Sequence, residues 1–123
     1  MEIRYTAEHE WVAIDGNRAG ATVGITDYAQ RALGDLVFVQ LPTVGSAISR
    51  GAVAAVVESV KAASDIYSPL TGRIIAVNAA TVSDPSLVNT DPMGAGWLFK
   101  IECSDASELT QLLDESAYRQ IAQ

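Results

Sequence analysis

Val56-Val57-Glu58-Ser59-Val60-Lys61-Ala62-Ala63-Ser64-Asp65-Ile66-Tyr67-Ser68-Pro69 is the stretch on which the reading turns. An apolar strand runs in, an apolar strand runs out, and small or polar residues lie between them. That pattern predicts a hairpin over about 58–68, with Lys61 at or beside its tip. On position alone, such a lysine reads as a solvated turn residue. Two features sharpen the reading: Lys61 and Lys100 are the only lysines, and Val60, Ala62 and Ala63 bring no charge to the amine.

Working outward, short β-rich runs broken by Gly, Pro, Asn and Asp dominate the chain. Strands are expected at Ile3–Tyr5, Trp11–Asp15, Arg18–Gly24, Leu36–Leu41, Val53–Val60, Ile66–Ser68, Arg73–Ala79 and Trp97–Cys103. Asp15-Gly16-Asn17 is a tight-turn signal, because Gly and Asn accept positive φ at low cost. Thr26 or Asp27 caps a short helix that Gly34 ends. Asp84-Pro85 suits a brief helical turn with the proline at its first position. Asp105 and Glu108 have capping-box spacing and open a C-terminal helical segment over about 105–122, with Leu109, Leu112 and Leu113 on one face and Tyr118 and Ile121 extending it. The expected fold is mainly β, a flattened barrel or sandwich of two antiparallel sheets with short helices.

A faint repeat supports paired sheets. At a constant offset of 38, Gly34, Leu36, Val37, Val39 and Val44 match Gly72, Ile74, Ile75, Val77 and Val82. Two similar strands after two glycines would suffice to explain it. The sharper reading is two related halves joined in Val60–Pro69.

Composition narrows the function classes. The 123 residues make one domain, 1–123, of which 49% are apolar and 19% charged, as in a globular protein. Net charge is −7, which repels nucleic-acid phosphates and anionic lipid. The longest apolar run, Ala52–Val57, is far short of the ~20 residues a bilayer-crossing helix needs. No basic segment leads into an apolar stretch at the N-terminus, so a cytoplasmic, bacterial-type protein is expected, a mature mitochondrial form being the alternative. One Cys (Cys103) and one His (His9) exclude an intrachain disulfide and any multi-cysteine or two-histidine metal site. The lone His9 lacks a motif-supported nucleophile and reads as a packing residue, as do Trp11, Trp97 and Tyr67. Cys103 reads as a small buried apolar residue. Gly94-Ala95-Gly96 is a turn and lacks the helix of a phosphate loop.

Glu58-Ser59-Val60-Lys61-Ala62-Ala63-Ser64-Asp65, followed by Ser68-Pro69 and Gly72, resembles the lipoyl-attachment segment of the glycine cleavage system H protein family. His9-Glu10-Trp11-Val12, Gly24-Ile25-Thr26-Asp27-Tyr28-Ala29-Gln30, Leu33-Gly34-Asp35, Val39-Gln40-Leu41-Pro42 and Gly96-Trp97-Leu98 resemble further family blocks, in family order. The likeness spans Tyr5 to about Tyr118. Met93 and Ala95 depart from it, where the family often has an aromatic and an acid.

This resemblance implies a lipoyl-domain-like sandwich with lipoic acid amide-linked to Lys61. It implies a carrier without catalytic residues, since the attached cofactor and partner active sites supply the chemistry. A pyridoxal-phosphate glycine decarboxylase would load an aminomethyl group, a tetrahydrofolate-dependent aminomethyltransferase would remove it, and dihydrolipoamide dehydrogenase would reoxidise the dithiol. Glu10 and Asp65 match positions lining the cleft where the arm rests; ordinary solvated acids are the plain alternative. Glu58 and Gly72 match positions presented to lipoate-attaching enzymes, though Gly72 also suits a tight turn before a strand.

Rival classes are separable. Biotin domains flank their lysine with methionines, whereas Val60 and Ala62 stand here. Lipoyl domains of oxo-acid dehydrogenases more often have an acid before the lysine and belong to longer chains. An H-like relay passing lipoyl groups to other enzymes shares every motif and differs only in glycine exchange. A Schiff-base enzyme would need a closed pocket around Lys61, which a hairpin tip does not offer. A purely structural interaction domain would leave Lys61 unmodified.

Overall fold

The computed structural model describes residues 2–122. Nine strands form two antiparallel sheets: β1 (Glu2–Tyr5), β2 (Glu10–Ile14), β3 (Gly20–Ile25), β4 (Leu36–Gln40), β5 (Ala47–Ile48), β6 (Val53–Ser59), β7 (Ala63–Tyr67), β8 (Gly72–Val77) and β9 (Phe99–Cys103). The larger sheet has the order β1-β2-β3-β9-β8-β5, and the smaller β4-β6-β7. Neither closes on itself, so the sandwich alternative holds over the barrel. Val12, Val23, Ile74, Phe99 and Ile101 from one sheet pack with Leu36, Val39, Val57 and Ile66 from the other in a single core. Each fully buried side chain of this size contributes roughly 1.5–3 kcal/mol.

Close approaches fix several glycines. Gly24 lies opposite Trp11 across β2 and β3, and a Cβ there would fall 2.7–2.9 Å from the indole. The Trp11 indole thus lies against Gly24, its Nε1–H donating to the Pro92 carbonyl at 2.9 Å.

The short helices are α1 (Asp27–Leu33), α2 (Ala80–Ser83), α3 (Ser86–Thr90) and α4 (Glu115–Ile121). Thr26 caps α1, its hydroxyl accepting from Ala29 N–H, and Gly34 ends it at φ 86°. α2 and the two-residue β5 were not foreseen, and Pro85 stands one place before α3 rather than at its first position. At the β2–β3 turn the positive φ falls on Arg18 (58°), not on Gly16 or Asn17, and Arg18 N–H donates to the Asp15 carbonyl at 2.8 Å.

The C-terminal segment also departs from expectation. Asp105 caps a 3₁₀ turn over Ala106–Gln111, and the chain then straightens so that Leu113 bridges to Tyr5 before Asp114 caps α4. Glu108 does not complete a capping box. Its carboxylate accepts from Thr71 N–H and Oγ1–H at 2.7 and 2.8 Å, tying this segment to the loop before β8. Leu109, Leu112 and Tyr118 are buried as expected, but Ile121 is exposed. Cys103 is only half-buried, contrary to its buried reading, while Trp97 is half-buried and Tyr67 exposed, so neither of these aromatics belongs to the core.

The repeat has a structural counterpart. The strand residues of its copies fall on β4 and β8, one in each sheet, with burial that agrees at the first two pairs and differs at the third, where Val39 is buried and Val77 half-buried. Leu36 and Ile74 are buried, while Val37 and Ile75, like Val44 and Val82, are exposed.

Candidate functional site

β6 and β7 pair from Val53↔Tyr67 to Glu58↔Ala63 and meet in a tight turn. Ser59 N–H donates to the Ala62 carbonyl at 2.8 Å, leaving Val60 and Lys61 as the two central residues. The Ser59 side chain builds this tip: its Oγ accepts from Lys61 N–H (3.2 Å) and Ala62 N–H (3.1 Å) and donates to the Ala62 carbonyl (3.2 Å). Lys61 is thus mounted rigidly by its backbone. Its side chain is exposed, and among the described residues no carboxylate pairs with it.

A second corner braces the turn. Val60 N–H donates to the Asp35 carbonyl at 3.2 Å, and the Lys61 stem passes over Gly34, where a Cβ would meet Cε at 3.1 Å. Asn89 of α3 locks that corner by donating to the Gly34 carbonyl (3.0 Å) and accepting from Leu36 N–H (2.9 Å). Sequence reasoning missed Ser59 and Asn89. Serine just before a hairpin turn is a recognisable signal. Asn89 acts from 53 residues away and has none.

The four other candidate positions are not gathered around the lysine. Glu58 is exposed beside the tip, opposite Phe38 and Ala63. Asp65 is exposed two residues along β7, about 7 Å of strand from Ala63. Glu10 lies further on, at the Tyr67 end of β7. Gly72 lies past that end, on the other sheet, where its backbone is pressed against β9.

Glu10 is not a solvated acid. It is 1% exposed, its Oε1 accepting from the Thr6 hydroxyl (3.0 Å) and its Oε2 from Tyr67 N–H (2.8 Å). Burial pushes its pKa up to about 7, against the downward pull of those two hydrogen bonds, with a small further push from Glu8. It sits at the wall of an open cleft of about 550 Å³ that also includes Tyr5, Glu8, Arg50, Tyr67 and Leu113; Asp65 is not part of its lining. A cation entering the cleft would favour the ionised carboxylate.

His9 takes no part in acid–base pairing with Glu10. Held at φ 68°, it stacks on Tyr28 and shares a 2.8 Å hydrogen bond with the Tyr118 hydroxyl, which in turn lies 2.7 Å from Thr26 Oγ1.

The elevated pKa makes stability depend on pH. Below about pH 4.5 Glu10 is protonated in both folded and unfolded chains. Between there and about pH 7 only the folded chain keeps the proton, so stability falls as pH rises. Urea unfolding should show the protein about 2–3 kcal/mol less stable at pH 8 than at pH 5 from this group. In Glu10→Gln that part of the slope should vanish; an identical slope would place the titration elsewhere.

A two-sheet sandwich that presents an exposed lysine on a rigid hairpin has the build of a carrier domain. The family model for the glycine cleavage H-protein matches residues 3–123. The glycine cleavage system H protein of Bradyrhizobium diazoefficiens is 56% identical over 115 residues, covering 94% of this chain and 93% of that one. That of Aeromonas hydrophila is 53% identical over 120 residues, covering 98% and 92%. The crystal structure of a glycine cleavage system H protein from Mycobacterium marinum matches the fold with a TM-score of 0.87 at 46% identity, covering 97% of this chain and 94% of that one. The chain belongs to the glycine cleavage H-protein family, the lipoyl-carrying shuttles of the glycine cleavage system. No helix among the described residues is long and apolar enough to cross a membrane.

Proposed function

We propose that this protein is the non-catalytic shuttle of the cycle, with lipoic acid in amide linkage on Lys61. The observation that carries the reading is the exposed Lys61 amine, without a carboxylate partner among the described residues, on a turn whose backbone is fixed by Ser59. Such an amine fits the group: it is open to an attaching enzyme, and the long arm then extends from a fixed pivot.

A bound lipoyl group supplies a dithiol/disulfide pair whose sulfur takes the aminomethyl fragment. The chain's own work is to hold and present it. In this proposal a pyridoxal-phosphate glycine decarboxylase loads the cargo, a tetrahydrofolate-dependent aminomethyltransferase removes it and a dihydrolipoamide dehydrogenase restores the disulfide. Tethering to one pivot raises the arm's local concentration at each active site. The bacterial relatives favour a cytoplasmic setting.

Glu10 and Asp65 would meet the cargo's cationic amine as the arm lies back along β7, Asp65 first and Glu10 at the cleft wall. Glu10→Ala should then speed loss of formaldehyde from the cargo-bearing protein; an unchanged release rate would remove Glu10 from that role. Glu58, exposed beside the tip, would be read directly by the lipoate-attaching enzyme, whereas Gly72 would serve the packing of β8 on β9 in the larger sheet.

The deciding experiment is an intact-mass measurement with peptide mapping on protein from its native host, followed by bicarbonate exchange into glycine with added decarboxylase. Lipoyl on Lys61 together with exchange supports the shuttle. Lipoyl on Lys61 without exchange favours the H-like relay, and an unmodified or biotinylated lysine overturns both.

A further inference from the structure

One edge of the smaller sheet, flanked by α2 and α3, keeps free backbone groups. Among the described residues β4 pairs only with β6, and it reads Leu36-Val37-Phe38-Val39-Gln40, with neither charge nor proline. Exposed edges are normally blunted by charges, prolines or a covering element, because their free backbone groups invite another strand. Asn89 takes the Leu36 N–H and α2 and α3 pack beside β4, but among the described residues the backbone from Val37 to Gln40 makes no hydrogen bond beyond its pairing with β6. A register shift between Leu36 and Phe38 turns both Val37 (58% exposed) and Phe38 (44%) to solvent.

Beside this edge runs an open trough of about 910 Å³. It is lined by Phe38, Val39, Leu41, Val77 and Val82 and by no charged residue. Carboxylates stand around it, and the ammonium at that corner, Lys61 over Gly34, loses its charge when acylated. Asp35 precedes β4, Glu58 lies opposite Phe38 and Asp84 follows α2, all exposed. The edge is also continuous with the lysine site, because Leu36 pairs with Ser59, the residue that builds the Lys61 turn.

We propose that β4 and this trough form a docking site for an extended segment of a partner enzyme, apolar at alternate positions and flanked by Lys or Arg. The segment adds to β4 as a further strand: main-chain hydrogen bonds supply affinity, the trough takes alternate side chains, and the basic flanks meet Asp35, Glu58 and Asp84. A second copy of this chain is the poorer occupant, since it would bring the same carboxylates and a net charge of −7 against its own likeness. The inference rests on the carrier reading, and it gives that reading a geometry. A partner seated on β4 is anchored next to the pivot of the arm, so its active site faces the lysine, with Val77 at the end of β8 as its contact on the larger sheet.

The test uses lipoyl-loaded protein carrying Val37→Glu or Val82→Glu, both at exposed positions. Loading is confirmed by intact mass and folding by an unchanged melting temperature. At one or more of the enzymes that act on the loaded arm, apparent KM for the carrier should rise at least ten-fold with kcat retained. For the unsubstituted protein, the same KM should climb with ionic strength. Normal loading with unchanged KM at every enzyme overturns the docking site and leaves the carrier reading standing. So does a wild-type dimer that Val37→Glu separates, which would make a second copy the occupant. Wild-type protein that takes no lipoyl on Lys61 overturns the carrier reading, and the docking site with it.

Discussion

Lys61→Arg should abolish lipoyl attachment and reduce glycine–bicarbonate exchange to background while leaving the melting temperature where it was. The chemistry requires an amine that can be deprotonated to attack an activated acyl group. A guanidinium stays protonated and cannot do this. The fold, by contrast, takes from this residue only its backbone N–H, which donates to Ser59 Oγ and is unchanged in arginine. No ion pair is lost, because among the described residues none forms with Lys61. The stem is long and exposed, so arginine fits over Gly34 as lysine does. Lys100 is the internal control. It lies on β9 with its ammonium 5.2 Å from the centre of the Trp97 ring, and Lys100→Arg should load normally. Lipoyl found on Lys100 in the Lys61→Arg protein would refute the assignment.

How far the sequence reached follows from the range of the forces involved. The hairpin was legible because its pattern is local: apolar runs on both sides and small residues between. The cap at Thr26 and the stop at Gly34 were legible for the same reason, each being set by a side chain within a few residues of the backbone it serves. What failed depends on partners distant in sequence. The C-terminal helix breaks because Leu113 exchanges backbone hydrogen bonds with Tyr5, and Glu108 abandons its capping geometry for Thr71. Neither competitor is visible in a window around residue 108.

The site divides along the same line. Lys61, the proposed attachment residue, stands in a contiguous motif that a local reading can single out. The bracing by Asn89 was not legible in this way, and neither was the burial of Glu10, a charged residue that local pattern would leave in water. Only the structure shows β7 closing over Glu10, with Tyr67 N–H donating to it. Turn chemistry failed more narrowly: Asp15-Gly16-Asn17 does form a turn, but the hydrogen bond from Arg18 to Asp15 moves the left-handed residue to Arg18.

Gly72→Ala should carry the largest stability loss of any single methyl added to this chain. At the first residue of β8, the backbone lies so close to β9 that a Cβ would stand 1.8 Å from the Glu102 carbonyl oxygen and 2.9 Å from its carbon. Both obstacles are main chain, so no side chain can turn aside. Either β8 and β9 part at Gly72↔Cys103 or β9 buckles. β8 also holds the two-residue β5, through Ile48↔Gly72, so one displacement loosens three strands of the larger sheet. Overpacking against a rigid neighbour places the cost at about 3 kcal/mol, near the upper end for one methyl. For a domain of this size that is a drop of ~10 °C or more in melting temperature. The same variant separates the two roles this glycine could have. Below its transition the Gly72→Ala protein is folded and presents Lys61 on an unaltered β6–β7 turn, so the attaching enzyme should load it at close to the normal rate. Loading lost while the protein is still folded would show instead that the enzyme touches Gly72 itself, reaching past the far end of β7 to do so.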